Sequence, residues 1–120
     1  MKDREKQIAD FYGLEVQTIK LAEECAEFAA SSSKVFYYIS LLEDRSHTPI
    51  SRAIVREQFE IAREQNAEEL ADVLLMARQV EYLLDGYLLN GYPSYRESVN
   101  RHMEVKVKRQ LRRIAEEKAK

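Results

Sequence analysis

The chain has 120 residues, a formal net charge of −2, and only 3 Gly, 2 Pro and 1 Cys. That length suits one domain, residues 1–120, with a single core of ordinary size; a lone cysteine excludes an intrachain disulfide, and the slight acidity exerts no strong pull toward nucleic acid. No apolar run approaches a membrane span, and the start, Met1-Lys2-Asp3-Arg4-Glu5, lacks the apolar stretch of a signal peptide, so a reducing cytoplasm is the expected location.

Scarce Gly and Pro beside abundant Ala, Leu, Glu, Lys, Arg and Gln predict helix nearly throughout. The punctuation predicts four helices. The first runs from near Asp3 to Phe11, with Ile8 and Phe11 on one side, and Gly13 breaks or bends it. The second covers about Leu14 to Leu42, where Leu14, Leu21, Cys25, Phe28, Val35, Ile39 and Leu42 recur at helical steps and mark a core face. Glu43 to His47 form a polar turn, and Thr48-Pro49 reads as an N-cap followed by the first helical position.

A third helix is expected from Pro49 to about Asp85, with Ile54, Phe59, Leu70, Val73, Leu74, Ala77, Val80 and Leu84 facing the core. Asp85-Gly86 and Asn90-Gly91-Tyr92-Pro93 mark the next connection. The last helix covers about Ser94 to Ala115, with Met103, Val107, Leu111 and Ile114 as its buried face. Its end is basic: residues 101–120 hold 8 basic and 3 acidic side chains, against 11 and 18 in the remainder.

Two acidic motifs stand out, Glu23-Glu24-Cys25-Ala26-Glu27 and Glu68-Glu69-Leu70-Ala71-Asp72. Side chains three apart on a helix share a face, so Glu24/Glu27 and Glu69/Asp72 each form a two-pronged oxygen claw. A single such step is ordinarily solvated surface. Two at matched depth are another matter. From Glu27 to Leu42 the helix rises about 22 Å, and from Pro49 to Glu69 about 30 Å; the intervening turn absorbs the difference. Antiparallel packing then sets the claws level. Four crowded carboxylates repel unless a cation neutralises them, and an oxygen-only ligand set fits Mg²⁺, with Mn²⁺ as a possible substitute. Glu23 and Glu68 point about 100° away from their claws and suit ion pairing better.

Gln17, Glu24, Glu27, Ser31 and Lys34 fall within an arc of about 100° on the second helix, forming one polar stripe. Lys106, Arg109 and Arg113 form a basic stripe on the last helix. Acidic claws with basic stripes suit a nucleoside polyphosphate, the metal bridging phosphate oxygens and the cations neutralising the rest. Neither claw contains an E-x-x-H step, which argues against a ferritin-like di-iron bundle. P-loop, G-x-G-x-x-G and C-x-x-C motifs are absent.

The segments Tyr12 to Gln17, Leu21 to Glu27 and Glu68 to Val73 resemble the all-α NTP pyrophosphohydrolases, the MazG-like superfamily. Lys106 to Ile114 resembles the closing K-x-x-R-Q segment of its small, phage-type members. The resemblance implies a four-helix MazG-like bundle with a long central hairpin, assembled as a homodimer or homotetramer. It implies Mg²⁺-dependent hydrolysis of an NTP or dNTP to the monophosphate and pyrophosphate. Glu24, Glu27, Glu69 and Asp72 then match the metal ligands, Glu24 or Glu27 the proton acceptor, Lys34, Lys106 and Arg109 the positions near phosphate, and Gln17 a position near base or sugar. A phosphoribosyl-ATP pyrophosphohydrolase-like enzyme and a non-catalytic helical interaction or regulatory protein are the alternative readings.

Overall fold

The computed structural model describes residues 1–87 and 90–120. Helix is the only regular structure among them: α1 spans Asp3–Glu43, α2 Pro49–Asp85 and α3 Tyr95–Lys118. The expected number of helices was four. The difference lies at Gly13, whose φ of 84° and ψ of 169° are the only non-helical values inside α1. The turns before and after it run into one another, so the short helix expected at Asp3–Phe11 is the N-terminal arm of α1. Such dihedrals are nearly closed to residues with a Cβ, and this is why the bend falls on a glycine.

The chain divides into two compact units, Met1–Val80 and Glu81–Lys120. In the first, α1 and α2 form an antiparallel hairpin. The Arg52 guanidinium donates to the Leu42 carbonyl at 2.9 Å and to the Asp44 carbonyl at 3.1 Å, closing the C-terminus of α1. Further along, the Asn66 amide donates to Ser31 Oγ at 2.8 Å and Ser32 Oγ at 3.0 Å. Still further, the Gln17 amide donates to Gln79 Oε1. Partner numbers climb on α2 as they fall on α1, as the register arithmetic predicts. The arm before Gly13 leaves this register: Glu5 lies 3.5 Å from Arg78, beside the residue that Gln17 contacts.

Local chemistry accounts for the helix starts. Thr48 Oγ1 accepts from the Ser51 amide at 3.1 Å, which makes it the expected N-cap. Ser94 caps α3 by accepting from the Glu97 amide at 3.1 Å. At the start of α1, the Glu5 carboxylate reaches back to the Lys2 amide at 2.9 Å. That bond, with the Arg78 guanidinium, lowers the Glu5 pKa below the usual carboxylate value.

Burial departs from the expected core. The buried apolar residues among those described are Ala9, Ala62 and Val80. Leu14, Leu21, Phe28, Val35, Leu42, Phe59, Val73, Ala77 and Leu84 are half-buried. Cys25 is exposed, as are Ile8, Phe11, Ile39, Ile54, Leu70 and Leu74. The whole expected apolar face of α3, Met103, Val107, Leu111 and Ile114, is also exposed. Periodicity identifies faces that can be covered; a two-helix hairpin covers one side of each helix and leaves the others free. Among the described residues no helix is long and apolar enough to cross a membrane.

Candidate metal centre

Hairpin register brings the two acidic motifs together. One carboxylate oxygen each from Glu24, Glu69 and Asp72 lies within 4.8 Å of the others. Glu24 is 7 % exposed, Glu69 is half-buried, and Asp72 is the most exposed of the three. The Oε2 atoms of both Glu24 and Glu69 are buried without a hydrogen-bond partner. Buried carboxylate oxygens normally find partners, and orphaning one costs free energy. Two orphans in one acidic cluster suit a divalent cation, which accepts oxygen donors and cancels their repulsion. An oxygen-only donor set is of the kind that hard cations take.

Glu27 flanks this trio on the next turn of α1 and is exposed. The Glu24 charge raises the Glu27 pKa above the usual carboxylate value; desolvation and the Glu69 charge push the same way. Like charges disfavour a further anion, so Glu27 senses both helices. Lys20 offsets part of the charge: its ammonium lies 3.4 Å from Glu24 and 3.8 Å from Glu23, and its pKa is raised, chiefly by Glu24. Glu23 therefore ion-pairs, and Glu68 is exposed.

The remaining predicted positions fall in different places. Gln17 is buried against Gln79, so its amide is engaged inside the hairpin. Lys34 is exposed on α1, two turns beyond Glu27. Lys106 and Arg109 are exposed on α3, in the second unit.

Several contributors were not anticipated. Asn66 clasps Ser31 and Ser32 one turn from Glu69. Extending the α2 claw backwards by its own step of three would have found it. Lys20 stands four residues before Glu24, an ordinary helical ion-pair spacing. Gln79 has no local signal, because only the register of the folded hairpin selects it for Gln17. No family model, curated protein or solved structure matches this chain.

Proposed function

We propose that the protein is a Mg²⁺-dependent nucleoside triphosphate pyrophosphohydrolase, converting an NTP or dNTP to its monophosphate and pyrophosphate. The observation that carries this reading is the trio Glu24, Glu69 and Asp72 within 4.8 Å, with two buried carboxylate oxygens lacking partners. Family resemblance over the same residues supplies the reaction class. Glu24, Glu69, Asp72 and the flanking Glu27 would hold the ion. Bound there, it supplies charge neutralisation for phosphate oxygens and a lowered pKa for coordinated water.

The chain's own groups complete the proposal. Glu27 or Glu24 takes the proton from the attacking water. Lys34 offers a cation on the polar stripe for phosphate oxygens. Lys106 and Arg109 lie in the second unit, and a phosphate role for them rests on the resemblance alone. Gln17 would reach base or sugar only by giving up Gln79. The phosphoribosyl-ATP pyrophosphohydrolase alternative uses the same carboxylates and differs in substrate.

Assembly as a homodimer or homotetramer belongs to the same proposal, and apolar exposure supports it. Ile8, Phe11, Tyr12, Val16 and Ile19 form an exposed apolar run on α1, and Ile50, Ile54 and Ile61 another on α2. Patches of this kind mark interaction surfaces, and a second copy offers the same complementary faces. One observation favours the interaction-protein reading as well: α3 has no buried residue.

The deciding experiment measures pyrophosphate release from a panel of NTPs and dNTPs, with Mg²⁺ and with chelator, for the wild type and Asp72→Asn. Metal-dependent release by the wild type alone is expected. Release from no nucleotide, or full turnover by Asp72→Asn, removes the proposal. Light scattering on the same samples reports the oligomer.

A further inference from the structure

A second feature of the hairpin lies beyond the carboxylates. Between α1 and α2, on the side toward the connecting turn, is an open, solvent-facing cavity of about 440 Å³, with Lys34, Tyr37, Gln58 and Gln65 exposed around it. Its lining includes Lys34, Tyr37, Tyr38, Gln58, Ala62 and Gln65. The volume falls in the usual range for small-molecule sites. Ala62 is buried and exposes no polar side chain. Tyr37 and Tyr38 meet edge to face, with ring centroids 5.3 Å apart.

The cavity is placed along the same stripe as the acidic trio. Gln65 precedes Glu69 by one turn of α2, about 6 Å of rise. Lys34 follows Glu27 by two turns of α1, about 10 Å. The bonds from Asn66 to Ser31 and Ser32 hold the helices together between trio and cavity. A molecule anchored by phosphates at the trio and lying along the stripe would carry its sugar and base into this space.

We propose that the cavity is the nucleoside subsite, in which Gln58 and Gln65 read the edge of the base and Tyr37 lies against the base or sugar. This rests on the nucleotide-hydrolase reading and puts the base on the turn side of the trio; Gln17, on the far side and engaged with Gln79, then takes no part in reading it. The chemistry is specific. A glutamine amide presents a donor beside an acceptor, the complement of the donor–acceptor pairs on base edges. Tyrosine gives a flat apolar ring with a polar tip. Lys34 also lines the cavity and can supply a cation to the anionic end of the same ligand. Neither glutamine belongs to a carboxylate motif, so the proposal adds specificity residues to the site.

The test uses isothermal titration of the full chain with Mg²⁺ and two probes: inorganic tripolyphosphate, and the α,β-methylene analogues of ATP, GTP, CTP and UTP. The proteins are wild type, Gln58→Ala, Gln65→Ala and Gln65→Glu, each checked for an intact helical melt. Loss of a hydrogen bond to the base weakens the best-bound analogue by about three- to tenfold. Tripolyphosphate affinity stays at the wild-type value, and the spread among the four analogues narrows. Gln65→Glu keeps the side-chain size but loses the amide donor, so it changes the ranking of the analogues. The subsite is overturned if all three variants keep the wild-type ranking and affinities while analogues and tripolyphosphate still bind. Equal weakening of tripolyphosphate and analogues also counts against it. Binding of neither probe by the wild type removes the hydrolase reading itself, and the subsite with it.

Discussion

Neutralising one carboxylate of the trio should stabilise the metal-free protein. Unit charges 4.8 Å apart repel by about 1 kcal/mol in bulk water and about 3.5 kcal/mol at an effective dielectric of about 20. Asp72→Asn keeps the side-chain shape and relieves the contacts with Glu24 and Glu69. Asp72 is the most exposed of the three, so the low end applies, and two relieved contacts give about 2 kcal/mol. For a chain of this length each kcal/mol moves Tm by about 4 °C. In chelator, the variant should therefore melt roughly 8 °C above the wild type.

Divalent cation should reverse the order of stability. An ion at about one hundred times its Kd adds about 2.7 kcal/mol to the state that binds it, or roughly 10 °C for the wild type. The variant, with one ligand oxygen less anionic, should gain little. The assay is a thermal melt by circular dichroism, at one protein concentration, with chelator and then with increasing Mg²⁺. A variant less stable than the wild type in chelator refutes the repulsion argument. An equal rise for both proteins shows that the cluster does not hold the ion.

Other perturbations test other parts of the structure. Gly13→Ala meets no atom within 4 Å, yet its φ of 84° is strained for any side chain; a loss of about 1–3 kcal/mol is expected in denaturant melts. Gln79→Leu alone leaves the buried Gln17 amide unpaired and should cost about 1–3 kcal/mol, whereas Gln17→Leu with Gln79→Leu together recovers most of it; if the double variant is as unstable as the sum of the singles, the two side chains do not act as a pair. The pH profiles carry opposite signs at two glutamates. Glu5 has a lowered pKa, so its contribution is complete above the ordinary carboxylate value and is lost as pH falls through the folded value; Glu5→Gln should flatten that acid limb of a Tm–pH curve. Glu27 has a raised pKa, so in chelator stability declines as pH rises from the ordinary value through the folded one; Glu27→Gln should remove that decline.

The helical class, the ends of the hairpin and the level at which Glu24 meets Glu69 and Asp72 are legible in the residues alone. Those features depend on local chemistry and on counting. Thr48 and Ser94 cap because their hydroxyls reach the next turn, Gly13 bends because other residues resist its dihedrals, and a fixed rise per residue aligns Glu24 with Glu69 and Asp72. Tertiary structure decided what counting cannot reach. The pairing of Gln17 with Gln79 and the clasp of Asn66 on two serines depend on how side chains interdigitate across the hairpin. The same is true of the two carboxylate oxygens left without partners. Burial was also beyond periodicity, because Met103, Val107, Leu111 and Ile114 repeat as a core face does and yet are exposed. An apolar stripe records that a helix can be covered; which surface covers it depends on every other element of the fold.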